Sequence, residues 1–186
     1  GRESAIIKKL SKTKKNINIY GLGDYLNPDI VPLLKGFRLM VDFDLNEGLD
    51  FVKKVNPRYV VIGPEKYLQE GFPDKLREEN IPCIGPTSLL ARIETSKLFC
   101  RNFLKQNNLD FLSPMFFQIT RETDDPSLLK YFGILDNKFV VKPDGLTGGK
   151  GVKIFLNDND SALTYVRDIL EKDYFLVLEE YLEGEE

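Results

Sequence analysis

The sequence predicts an α/β chain in two parts: a Rossmann-like unit with a parallel sheet at the front, then a smaller α+β unit with a largely antiparallel sheet. Three observations predict it. In the first half, short apolar runs alternate with helical patterns, as expected for parallel strands covered on both faces. From Pro114 the order changes to strand, helix, strand, strand, helix, strand, which suits a small antiparallel sheet with helices packed on it. Between the two, Gly85-Pro86 marks a turn and opens a long helical stretch, so the boundary falls within Pro86–Pro114.

Taken in order, Ser4–Leu10 reads as a helix. A doubly wound unit normally places a strand before such a helix, and the chain opens on Gly1 rather than Met, so the sequence is expected to be clipped at its front. The runs Ile17–Tyr20, Arg38–Val41, Tyr59–Ile62 and Ile81–Ile84 read as strands. Leu45–Val55 is amphipathic, with apolar residues at 45, 49, 51, 52 and 55, and Lys66–Asn80 reads as a further, largely polar helix. Through Pro86–Asn108 the residues Leu89, Leu90, Ile93, Leu98, Phe99, Phe103 and Leu104 recur at helical spacing, with a break near Glu94–Ser96, where Thr95 or Ser96 can cap a second helix. Beyond Pro114, Met115–Ile119 reads as a strand and Asp125–Phe132 as a helix with Pro126 in its first turn. Phe139–Lys142 and Val152–Phe155 are strands flanking a glycine-rich turn. Asp158–Glu171 is helical, with Asp158 or Asp160 as cap, and Phe175–Glu180 is a last strand.

Charge and composition narrow the function. Twenty-six basic and 29 acidic residues leave a net charge of −3, which gives no bulk attraction for nucleic acid or an anionic membrane. No apolar run approaches the length of a membrane span. Two cysteines, Cys83 and Cys100, and no histidine argue against a disulfide framework and against zinc, and fit a reducing cytoplasmic setting. Without histidine there is no imidazole-based triad. Any phosphate or acid–base chemistry must come from Lys, Arg, Asp, Glu, backbone amides or a metal-bound nucleotide.

The segment Phe139–Ile154, FVVKPDGLTGGKGVKI, is the richest in chemistry. A buried strand ends in Lys142 and enters a turn with four glycines and a lysine between Asp144 and Gly151. Such a backbone can approach a ligand closely and turn successive N–H groups toward an anion, with a flanking lysine adding a point charge. The spacing is not that of a Walker A loop. Composition alone does not separate this reading from a long β-hairpin turn. A second segment, Leu176–Glu186, runs an apolar strand into five glutamates. It is either a solvated acidic run or a backbone edge that reads an adenine, with a carboxylate for ribose hydroxyls. A third, Glu94-Thr95-Ser96-Lys97, carries a single lysine and no claim by itself.

Taken together the motifs carry a resemblance. Gly85-Pro86-Thr87, Glu94-x-Ser96-Lys97, the run from Val141-Lys142 through Asp144-Gly145-Leu146 to Gly149-Lys150-Gly151-Val152, and Glu179-Glu180-Tyr181-Leu182-Glu183-Gly184-Glu185-Glu186 occur in the order and approximate spacing of the phosphoribosylamine–glycine ligases, an ATP-grasp family. Val61-Ile62-Gly63-Pro64-Glu65 and Gly1-Arg2-Glu3-Ser4 resemble segments of that family's first domain. The resemblance implies a Rossmann-like pre-ATP-grasp domain over 1–95, a helical connection over 96–113, and an ATP-grasp lid subdomain with the adenine hinge over 114–186. It implies ATP and Mg2+ as cofactors, with the metal ligands beyond residue 186, and the small molecules glycine and phosphoribosylamine as substrates.

By the same resemblance, Lys97 and Lys142 contact ATP phosphates, and Gly145, Gly148, Gly149, Lys150 and Gly151 form the mobile loop over them. Glu180 and Leu182 meet the adenine through the backbone, and Glu185 holds the ribose. Gly1, Arg2, Glu3, Gly63, Pro64 and Glu65 are the implied substrate contacts. The implied reaction activates the glycine carboxylate as an acyl phosphate, which the amine attacks to give glycinamide ribonucleotide, ADP and phosphate. The chain by itself, stopping at the hinge, is expected to be inactive.

Three segments depart from the family pattern: Ser4 stands where a histidine is usual, Gly21-Leu22-Gly23-Asp24-Tyr25-Leu26-Asn27-Pro28 replaces a glycine- and alanine-rich loop, and Lys66-Tyr67-Leu68 follows Glu65 in place of Ala-Pro-Leu. They keep two alternatives open: another ATP-grasp carboxylate–amine ligase, or a non-catalytic nucleotide-binding homologue.

Overall fold

The computed structural model describes residues 2–13, 16–172 and 175–184. The chain divides into two compact units, Gly1–Ala91 and Arg92–Glu186.

The first unit runs α1 (Arg2–Ser11), β1 (Tyr20–Gly23), a 3-10 turn (Pro28–Leu33), β2 (Gly36–Leu39), α2 (Leu45–Val55), β3 (Val60–Val61), α3 (Glu65–Gln69), α4 (Phe72–Glu78) and β4 (Cys83–Ile84). The pairing is parallel, as the sequence predicts: Tyr20 lies opposite Gly36 and Val60 opposite Cys83. Among the described residues, however, the strands form two separate two-stranded sheets. The two-residue strands β3 and β4 offer too short a ladder to reach further. α2 matches its expected bounds. Asp44 caps it by accepting from the N–H groups of Asn46 and Glu47, and Asn56 closes it in the left-handed conformation. Its buried face, Leu49 and Val52, joins Tyr67, Phe72 and Leu76 in the core of this unit. Phe43 packs its ring 4.3 Å from Tyr67 and 5.1 Å from Phe72, centroid to centroid.

Two elements differ from expectation. The single helix expected over Lys66–Asn80 is two, because Gly71 takes φ +82° and Pro73 starts a new helix just after it. β1 begins where the apolar run Ile17–Tyr20 ends, so the strand is YGLG. The reason is packing: a Cβ on Gly21 would lie 2.6 Å from the Phe37 ring of the neighbouring strand.

α5 (Ser88–Thr95) carries the chain across the unit boundary. The second unit continues with α6 (Lys97–Gln106), a 3-10 turn (Asp110–Leu112), β5 (Phe116–Thr120), α7 (Asp125–Ile134), β6 (Lys138–Pro143), β7 (Lys153–Leu156), α8 (Asn159–Leu170) and β8 (Phe175–Glu180). The expected helix break falls at Ser96, whose hydroxyl accepts from the Phe99 N–H, and Asp158 caps α8. The sheet has the order β5-β8-β6-β7 and every pair is antiparallel. On one face Ile119, Phe139, Val141, Phe155, Leu176 and Leu178 bury against Leu128 and Phe132 of α7 and Ala162, Val166 and Leu170 of α8. Phe139 stacks between its neighbours, 4.3 Å from Phe132 and 5.7 Å from Phe155.

Candidate functional site

Strand alternation gives the other sheet face different chemistry. Val140, Lys142, Val177 and Glu179 lie on it, with Val140 opposite Glu179 and Lys142 opposite Val177. Ile154, opposite Val140, extends the apolar floor and is exposed.

Diagonal placement across the β6–β8 ladder lets Lys142 meet Glu179: Nζ lies 2.5 Å from Oε2. The other carboxylate oxygen, Oε1, accepts from Arg101 Nε of α6 at 2.8 Å. The Glu179 side chain is only 2% exposed. Burial by itself would raise its pKa, but the hydrogen bonds from Arg101 and Lys142 outweigh that and hold the carboxyl below its usual range.

One helical turn before Arg101, Lys97 reaches the root of the glycine loop. Its ammonium donates to the carbonyls of Pro143 and Gly145, both at 2.9 Å. Asp144, between them, accepts from the Leu98 N–H at 3.1 Å and from the Ser96 hydroxyl at 2.9 Å. The start of α6 and the loop root are therefore clasped together. Burial lowers the Lys97 pKa, against the attraction of Asp144.

The loop is the connection of the β6–β7 hairpin, and it needs its glycines. Gly145, Gly148, Gly149 and Gly151 have φ of +87°, +60°, +78° and +77°, a region side chains other than Asn and Asp rarely adopt. Gly148, Gly149 and Lys150 are exposed. Around the first two, nothing lies within 4 Å of where a Cβ would sit.

At the end of β8, the Glu180 N–H donates to Met115 C=O at 3.0 Å, and its carboxylate accepts from the Met115 N–H at 3.0 Å. Tyr181 N–H donates to Lys138 C=O at 3.2 Å. Leu182, one residue past this ladder, is exposed. Glu185 lies outside the described residues, as does Gly1.

In the first unit the structure brings together most of the other expected contacts. Arg2 Nη1 lies 2.6 Å from Glu65 Oε1, and its hydrogen bond lowers the Glu65 pKa. A Cβ on Gly63 would meet Glu3 Cγ at 2.6 Å, so α1 starts against the Gly63-Pro64-Glu65 turn. The departing residues have structural work: Tyr67 is core, Gly21 lies under Phe37, and the Ser4 hydroxyl accepts from Asn27 Nδ2 at 3.1 Å.

Sequence reasoning missed Arg101 and Asp144 as parts of the site, and placed Glu179 only in a motif. The one local signal for Arg101 was its position four residues after Lys97, which puts both on one face of α6. Among the described residues no group of three or more Cys, Asp or Glu side chains is placed to hold a metal ion.

Comparison with known proteins gives family matches along the whole chain. Residues 1–94 match the family model of the phosphoribosylglycinamide synthetase N domain, and residues 95–186 match that of the phosphoribosylglycinamide synthetase ATP-grasp (A) domain. The chain is 35% identical to the phosphoribosylamine–glycine ligase of Pyrococcus horikoshii and 39% identical to that of Methanocaldococcus jannaschii. All of this chain is covered in both, but only 42% and 43% of the relatives, so the chain spans less than half their length.

Among solved structures, N5-carboxyaminoimidazole synthetase from Staphylococcus aureus complexed with ADP superimposes with a TM-score of 0.66 at 17% identity, covering 100% of this chain and 46% of that one. D-alanine–D-alanine ligase from Bacillus anthracis does so with a TM-score of 0.65 at 19% identity, covering 90% and 59%. The fold is thus α/β with ATP-grasp neighbours, and the chain belongs to the phosphoribosylglycinamide synthetase family.

Proposed function

We propose that this chain carries the nucleotide-binding part of an ATP-dependent carbon–nitrogen ligase that joins glycine to 5-phosphoribosylamine, giving glycinamide ribonucleotide, ADP and phosphate. The observation that supports it best is the meeting of Lys97, Lys142 and the four-glycine loop at one edge of the second sheet face.

In this reading Lys142 and Lys97 contact the phosphates. The loop from Gly145 to Gly151 closes over them with Gly148, Gly149 and Lys150 at its tip. Ile154, exposed beside the buried Val140 and Val177, floors the adenine, and the strand end reads its edge through the Glu180 carbonyl and the Leu182 amide. The Glu180 N–H is already committed to Met115, so its carbonyl is the group left to offer. Glu185 holds the ribose. Arg2, Glu3, Gly63, Pro64 and Glu65, with Gly1, bind the phosphoribosylamine. The first domain covers 1–95 as a Rossmann-like pre-ATP-grasp unit, 96–113 connects, and 114–186 is the lid subdomain with the hinge. The Mg2+ that accompanies ATP takes its ligands from residues other than these, and the setting is cytoplasmic.

Catalysis by these residues is positioning and charge neutralisation around the transferred phosphoryl group. The γ-phosphoryl passes to the glycine carboxylate, ADP leaves, and the amine then displaces phosphate. The test is ADP release by the protein at its full natural length, with Mg-ATP, glycine and freshly generated phosphoribosylamine, omitting each in turn. Release that requires both glycine and the amine supports the assignment. Release without the amine refutes it and points to another carboxylate–amine ligase.

A further inference from the structure

Glu179 sits between two cations that come from different elements, Lys142 of β6 and Arg101 of α6. Two cations and one carboxylate leave this buried group with one positive charge. Lys142 and Glu179 alone would be a neutral pair, and a neutral pair has little attraction for a polyanion.

We propose that Arg101 is a charge-setting positioning residue of the nucleotide site: by taking up the Glu179 carboxylate it leaves Lys142 a net positive charge to offer the phosphates. The inference rests on the nucleotide reading above. The geometry suits the role. Arg101 uses Nε on the oxygen that Lys142 does not use, so the carboxylate holds both without making them compete for one atom. Its side chain is 22% exposed and that of Lys142 27%, against 2% for Glu179, so the anion is enclosed while both cations keep some exposure. Guanidinium is also the cation that stays charged in a partly buried site. Lys97 and Arg101 lie one turn apart on α6, so a single helix sets the charge at the loop root and beneath Lys142.

The experiment is calorimetric titration of ADP into the protein at its full natural length and its Arg101→Met, Arg101→Lys and Arg101→Met/Glu179→Gln variants, with melting curves to confirm folding. Arg101→Met, which makes the group neutral, is expected to weaken ADP binding on the order of tenfold. Arg101→Lys keeps the charge and is expected to bind within about twofold of the parent. The double variant removes one charge of each sign, restores the net charge, and is expected to recover most of the loss. A purely structural role for Arg101 predicts no such recovery.

Parent-like binding by Arg101→Met would overturn the proposal, as would a double variant as weak as the single one. If Arg101→Met does not fold, the double variant decides by the same criterion. Failure of the unsubstituted full-length protein to bind ADP would overturn the nucleotide reading itself, and this inference with it.

Discussion

Replacing Asp144 by Ala removes two of the hydrogen bonds that clasp α6 to the glycine loop, those Asp144 accepts from the Leu98 N–H at 3.1 Å and from the Ser96 hydroxyl at 2.9 Å. Bonds to a charged acceptor contribute about 1.5–3 kcal/mol each when buried, and Asp144 is half-buried, so the lower end applies. The carboxylate also faces the N-terminus of α6, which adds about 0.3–1 kcal/mol. Asp144→Ala should therefore destabilise the second unit by about 3–4 kcal/mol. Asp144→Asn keeps an acceptor for Leu98 and should cost about half as much. Ser96→Ala removes the cap on Phe99 and should cost about 1 kcal/mol. Because Ser96 and Asp144 share a bond, the double variant should cost less than the two single changes together. The chain has no tryptophan, so urea unfolding is best followed by far-UV circular dichroism, with NMR hydrogen exchange at the Leu98 amide as the local readout. An Asp144→Ala midpoint equivalent to less than about 0.5 kcal/mol, with Leu98 exchange unchanged, would refute the clasp.

Other residues give separate tests. Gly151→Ala places a Cβ 2.7 Å from Pro143 Cγ at φ +77°, whereas Gly149→Ala meets open space at φ +78°; urea unfolding should show about 1–2 kcal/mol for Gly149→Ala and clearly more for Gly151→Ala. Phe132→Ala empties a fully buried site stacked on Phe139 and should cost about 3–5 kcal/mol, while Phe111→Ala, on an exposed ring, should stay within about 0.5 kcal/mol. Glu179 is held below its ordinary value of 4.5, so it binds fewer protons folded than unfolded. Its stabilisation is fully present above that value and is lost as pH falls through the lower folded value. The stability gap between the parent and Glu179→Gln should therefore narrow as the pH is lowered below about 4.5, and a gap constant with pH would contradict the ion-pair account.

The sequence was most legible where local chemistry decides structure. Leu45–Val55 has its periodicity and its Asp44 cap side by side, and Phe175–Glu180 is an apolar run bounded by charge, so both elements fall at their expected limits. Strand β1 was misplaced because its pattern is set from outside: Gly21 has low strand propensity and is there because Phe37, sixteen residues away, needs the space. The break in Lys66–Asn80 was legible in hindsight, since Gly71 and Pro73 flank Phe72. At the site, Lys142 and the glycines stood out by type and spacing, as either an anion loop or a plain hairpin turn, whereas Lys97 entered only through the family resemblance. Arg101 did not, because its meaning depends on Glu179, 78 residues further along the chain. Pairings of that span leave no trace in a local window.

The strand that comes latest of the four in this sheet is not at its edge. β8 lies between β5 and β6, pairing with both, so the two other parts of the sheet meet only through it. The β6–β7 hairpin can form by itself from neighbouring residues, but β5 has no partner until residues 175–180 leave the ribosome and insert. Until then the apolar faces of β5 and β6 stay open to solvent and to other chains. The strand that joins β5 to β6 also brings Glu179 and the Glu180–Leu182 edge, so assembly of this sheet and assembly of these site groups are one event. A chain interrupted before Phe175 would keep Lys97, Lys142 and the glycine loop in its sequence and have no framework to bring them together.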